Sequence, residues 1–119
     1  MTFSARPYLR DIDDNICIAL NLVQGRTLSH MANDVMLRYS LQHAVLIIAE
    51  AVGKVPEHLR ADYPDIPWRS INAIGDKIRH RQLRIDAEII WDVVTVHLKP
   101  LQAIVTRLLA QSDEALWIE

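Results

Sequence analysis

The densest chemistry in the chain lies in Lys77-Ile-Arg-His-Arg-Gln-Leu-Arg84, where His80 stands among cations. Residues 69 to 84 carry five Lys/Arg (Arg69, Lys77, Arg79, Arg81, Arg84) and one acid, Asp76, a local charge of +4 that leaves −6 for the rest of the chain. A concentrated basic segment on an acidic body suits a local anionic ligand better than general adhesion to polyanions. Cations around an imidazole disfavour its positive charge and leave the free base that proton abstraction needs. Guanidiniums can hold phosphate bidentately and stabilise charge during phosphoryl transfer. These are the parts for RNA cleavage without a metal, with the 2′-hydroxyl as internal nucleophile. On the residues alone, two plainer readings stand beside it: simple phosphate or nucleotide binding, and a solvated basic helix end.

Other chemistries lack their parts. There is no Gly-rich phosphate loop, no Gly-x-Ser-x-Gly elbow, no His-Glu-x-x-His and no Glu-x-x-His of the kind that builds di-iron sites in bundles. His30, His43, His58 and His97 are scattered, and no Cys/His cluster has zinc spacing, so neither metal nor cofactor is expected. Three acids near the start, Asp11, Asp13 and Asp14, project in different directions and read as a wetted face. Cys17, the single cysteine, is placed on a helical apolar face and has no intramolecular partner. No basic, then apolar leader opens the chain, and the apolar run from Ala44 to Val52 is interrupted by Glu50 and too short to span a bilayer. The expectation is a cytoplasmic protein, without membrane contact, forming a single domain over residues 1–119.

The elements that must position this segment are helical. A first helix is expected from about Ser4, a possible cap, to Gln24, with Pro7 in its first turn and Gly25 ending it in a left-handed conformation. Tyr8, Ile12, Ile16, Ala19, Leu20 and Val23 recur along one face. A second helix, from about Ser29 to Val52 with Gly53 at its end, carries Met36, Leu37, Leu41, Ala44, Val45, Ile48 and Val52 as its stripe. Glu50 follows an apolar segment and calls for a basic partner elsewhere in the fold, because an unpaired buried charge is costly. Pro56, Pro64 and Pro67 mark a connection with one helical turn. A short third helix follows, from Trp68 to Arg79, with Ile71, Ile74 and Ile78 inward and Gly75 marking close packing or close approach of a ligand. The fourth begins near Asp86 and runs to about Gln111; Pro100 must kink or divide it, and its broad apolar surface calls for cover by both core and partner. The tail from Ser112 is expected to fray, unless Trp117 folds back. Helical spacing without strand alternation gives an all-α, four- to five-helix up-and-down bundle, with Trp68 and Trp91 as core residues rather than base-stacking platforms.

A resemblance now enters, carried by residues in order. They are Tyr8-Leu9-Arg-Asp-Ile12, then Ile47-Ile48-Ala-Glu50-Ala51, then Asp65-Ile-Pro-Trp68-Arg69-Ser-Ile71, followed by His80, Ile85-Asp86, Ile89-Ile90-Trp91, Leu98 and Leu101. Over nearly its whole length the chain resembles the HepT-like branch of the HEPN superfamily, the toxin half of HepT/MntA-type (type VII) toxin–antitoxin pairs. The resemblance implies an all-α bundle that dimerises, with a ribonuclease site in the dimer cleft. It also implies a small nucleotidyltransferase antitoxin, MntA-like, which in characterised pairs silences the toxin by transferring AMP to a tyrosine near the site.

The family signature is Arg, usually Asn, and then His four to six residues after the Arg, often followed by x-Tyr. His80 matches the histidine. The arginine position holds Gly75, the Asn position Asp76 and the tyrosine position Gln82. Arg38 and His43 have the signature spacing but lie in the second helix, where it is coincidental. Two readings remain. In one, Arg79 or Arg81 substitutes for the missing arginine, His80 acts as general base or acid, and Arg69, Lys77, Arg81 and Arg84 bind phosphate. In the other, catalysis is gone and the domain binds RNA, a nucleotide or its nucleotidyltransferase partner. Asp76 adds a further term, since pairing with Arg79 or His80 would oppose the effect of the arginines on the imidazole.

Overall fold

The structure, a computed structural model, describes residues 3–80 and 87–118. Seven α-helices are described: α1 (Arg6–Val23), α2 (Leu28–Asn33), α3 (Val35–Lys54), α4 (Glu57–Arg60), α5 (Trp68–His80), α6 (Ala87–Asp92) and α7 (Leu98–Leu109), with a π turn, Val93–His97, joining the last two. The protein is an all-α bundle in which α1 packs on α3 and α7, and α3 carries α5 on its other side. Leu9, Ile12, Ile16, Leu41, Ile48, Ile71, Ile90, Leu98, Leu101 and Leu108 are fully buried at its centre. By length and composition, Val35–Lys54 and the run Ala87–Leu109 would pass for bilayer spans, contrary to the expectation from Ala44 to Val52 alone. Their apolar residues supply much of the core.

The expected second helix is two. Asp34 is extended (φ −120°, ψ 104°) and its carboxylate accepts from the Leu37 N–H, capping α3, while Asn33 donates to the Ser29 carbonyl. Short polar side chains that bond their own backbone compete with the helix at this point. Thr27 and His30 form a reciprocal capping box at the start of α2. The break turns Met36 outward, so it leaves the apolar stripe. Gly53 does not end α3 but lies inside it. Ser4 is not the cap of α1 either: Ala5 holds that position, and the Ser4 hydroxyl accepts from the Arg6 N–H just outside. Gly25 takes the left-handed conformation (φ 72°) after α1.

In the fourth stretch, Asp86 lies outside the described residues. Pro100 lacks the N–H that would bond four residues back, and the helix takes up the mismatch as the π turn just before it. Most of the broad apolar surface is covered by the chain itself; Ile89 and Val96 stay exposed. Cys17 is also exposed, within 3.4 Å of Gln102 Nε2, and does not contribute to the apolar face.

The tail does not fray. Trp117–Ile118 pairs antiparallel with Phe3–Ser4, Leu116 is fully buried, and the Ala5 N–H donates to the Leu116 carbonyl at 2.6 Å. Trp117 stacks on His58, ring centroids 4.5 Å apart. Arg6 secures the arrangement, donating from Nε to Asp113 at 2.8 Å and from its two terminal nitrogens to the carbonyls of Leu109 and Gln111. The Arg6 hydrogen bond, aided by its charge, holds the Asp113 carboxyl below its ordinary value.

Candidate functional site

The close approach of α5 to α3 positions everything that follows. A Cβ on Gly75 would meet the Ala49 Cβ at 3.0 Å, and one on Gly53 would run into the Asn72 amide nitrogen. The two glycines therefore let the helices approach, and Asn72 uses the space to donate to the Ala49 carbonyl at 2.9 Å. Gly75 marks close packing, so the position where the signature has arginine is buried between helices.

One turn beyond Gly75, Arg79 emerges half-exposed at the edge of α3. Its Nε lies 3.3 Å from Glu50 Oε1, and its Nη2 donates to Asp76. Glu50 thus has its basic partner, and Asp76 pairs with Arg79. His80, the last residue of α5, is exposed, as is Lys77. The structure brings Lys77, Arg79 and His80 together at one helix end with Glu50 and Asp76 beside them. Within that group the two acids offset the charges of Lys77 and Arg79. Arg81 and Arg84, and with them Gln82, lie outside the described residues.

Arg69 is not part of this group. It sits in the first turn of α5, roughly 16 Å along the axis from His80 at 1.5 Å per residue, and lines a separate hollow of about 500 Å³ with Arg60 and Glu57. Trp68 is buried and donates from its indole to the Tyr63 carbonyl at 3.0 Å, a core role. Trp91 is half-buried: it packs against the core and also lines a groove of about 650 Å³ between α5 and the α6–π-turn segment. Ile71, Ile74, Ile89 and Val93 give that groove apolar walls, while Glu88, Asp92 and His97 supply polar ones; His97 Nε2 lies 3.8 Å from Asp92. Sequence reasoning missed this groove. Its one available signal was the pairing of a 3.6-residue apolar period in α5 with a second in α6, which does not say how the two helices splay. Among the described residues, no three His, Cys, Asp or Glu side chains converge as a metal site.

Comparison with known proteins gives this arrangement a context. The sequence profile of the family described as "Ribonuclease HepT-like" matches residues 10–108. RNase MJ0127 of Methanocaldococcus jannaschii, named as an inferred RNase, is 30% identical over 89 residues, covering 75% of this chain and 74% of the relative. "Probable ribonuclease HepT" of Thermococcus cleftensis is 26% identical over 102 residues, covering 86% and 93%. RNase TTE0752 of Caldanaerobacter subterraneus, also named by inference, is 27% identical over 104 residues, covering 87% and 93%. No solved structure matches the chain. The profile spans most of the length, and the chain belongs to the HepT-like ribonuclease family.

Proposed function

We propose that this protein is the toxin of a HepT/MntA-type toxin–antitoxin pair and cleaves RNA without a metal ion. The observation that carries this reading is the exposed His80 at the end of α5, next to a half-exposed arginine anchored at the α3 edge. His80 as free base takes the proton of an RNA 2′-hydroxyl. The oxygen attacks the adjacent phosphorus, the bond to the 5′-oxygen breaks, and the leaving oxygen is protonated as it departs, giving a 2′,3′-cyclic phosphate and a 5′-hydroxyl. Arg79, with Arg81 and Arg84 from the segment after His80, holds the phosphate and offsets the charge that builds on it. Arg69 is too far along the helix for the same phosphate and contacts a more distant part of the strand. The active form is a homodimer, and a small nucleotidyltransferase is its antitoxin; family membership supports both.

A second reading has its own support. Gly75 removes the signature arginine and is buried against Ala49, and Arg79 already faces two carboxylates. This favours a catalytically inactive module that binds RNA, nucleotide or the nucleotidyltransferase partner. Cleavage of a mixed RNA by the purified protein in EDTA, beside His80→Ala, separates the two. Cleavage that disappears in the mutant upholds the ribonuclease. Intact RNA with both folded proteins, together with affinity lost on removing Arg81 or Arg84, leaves the binding module.

A further inference from the structure

The contacts of Arg79 are unusual for a residue meant to meet a phosphate: carboxylates from two helices reach it first. Asp76 comes from the preceding turn of α5 and Glu50 from α3. Both act on one edge of the guanidinium, the one formed by Nε and Nη2. Among the described residues nothing partners Nη1. A guanidinium is a rigid planar fork, so fixing one edge fixes the plane and the direction of the N–H groups on the other side. The approach of α3 is set in turn by Gly75 on Ala49 and by the Asn72 hydrogen bond to the Ala49 carbonyl.

We infer that Glu50 and Asp76 are positioning residues, which orient Arg79 so that the edge bearing Nη1 meets one phosphate of the RNA; this rests on the ribonuclease reading above. The three side chains together carry a charge of −1, so they do not draw RNA in from a distance. Lys77 and the arginines that follow His80 supply that attraction, and Arg79 supplies direction. Glu50 and Arg79 are each about half exposed, at 49% of their side-chain surface. Ion pairs this wet add little to stability. Their removal is therefore readable in function without loss of the fold.

The test is a double-mutant cycle on RNA cleavage with wild type, Glu50→Ala, Arg79→Ala and the double variant, with Glu50→Gln as the conservative control. Glu50→Ala is expected to lower kcat about tenfold with KM little changed and the melting temperature unmoved, as misorientation of a reacting contact does. Glu50→Gln, which keeps an oxygen facing Nε without the charge, recovers part of the loss. In the Arg79→Ala background, Glu50→Ala has no further effect. Equal rates for Glu50→Ala and wild type, an undiminished effect without Arg79, or faster cleavage on removing a competing carboxylate would each overturn the inference. Should wild type fail to cleave, the ribonuclease reading falls by itself. The same proteins are then compared by affinity for the same RNA carrying 2′-O-methyl groups: coupling between positions 50 and 79 keeps the clamp, and additivity removes it.

Discussion

Arg6 and Arg79 sit in different regions and are used in opposite ways. Arg6 spends Nε on Asp113 and both terminal nitrogens on the carbonyls of Leu109 and Gln111, with 22% of its side chain exposed. It ties the start of α1 to the tail and has no nitrogen left over. Among the described residues, Arg79 is held along one edge only, by side chains rather than backbone, and is half exposed. The difference lies in the partners. Backbone carbonyls are fixed by helices and consume an arginine as structure, whereas paired carboxylates aim it and leave it available. Charge alone does not separate the two; the geometry of the partners does.

Exchanging the roles of these regions by mutation shows how deep the contrast runs. The largest effect belongs to His80→Ala, expected to lower kcat by about 1,000-fold, within the range for loss of a general acid–base group. Its circular dichroism and melting curve should match those of the wild type. Arg79→Ala is expected to cost on the order of 100-fold in cleavage, as loss of a charge-stabilising donor does, again with melting unchanged. Arg6→Ala should do the reverse: about 2 kcal/mol in urea unfolding, from charge-assisted hydrogen bonds to carbonyls, with cleavage per folded molecule retained. If both arginines moved activity and stability together, the contrast would collapse.

Gly75→Arg sharpens the comparison from another side. It restores the letter of the family signature, but its Cβ would press on Ala49 at 3.0 Å. We expect a loss of about 1–3 kcal/mol from overpacking, measured by denaturant unfolding, and no gain in cleavage. The smallest effect is the pH response of the tail. Asp113 has a folded-state value held below its ordinary 3.8 by Arg6. Its contribution is therefore complete above about that pH and is lost as the pH falls through the lower folded value. Trp117 fluorescence should report tail release in that acid range, and Asp113→Asn should abolish this part of the transition.

Much of the bundle was legible because apolar residues at helical spacing have few alternatives: Ile12, Ile16, Ala19, Leu41, Ile48 and Ile71 are all buried. The family was legible too, through motifs spread over the chain. What escaped was decided by single polar atoms. The Asp34 carboxylate splits one helix into two, and Arg6 converts a tail that looked free into part of the core. At the site, Glu50 called for a cation, but naming Arg79 required the register of α5 on α3. That register depends on two glycines and an asparagine amide, none of which carries an apolar signal. The groove beside Trp91 escaped for a similar reason, since periodicity reports which face of a helix is buried but not the gap left to its neighbour.

The pairing of Phe3–Ser4 with Trp117–Ile118 also bears on synthesis. A ribosome releases Phe3–Ser4 long before Trp117–Ile118, so α1 and α3 can pack while the partners of Arg6 are still to emerge. Until then the Ala5 N–H lacks its acceptor and the pocket for Leu116 is empty. The protein therefore acquires its final cooperativity only once the segment from Leu109 to Ile118 has joined α1. A chain from which Leu116 to Ile118 are withheld would expose the start of α1 at one end of the bundle, a ready substrate for proteases.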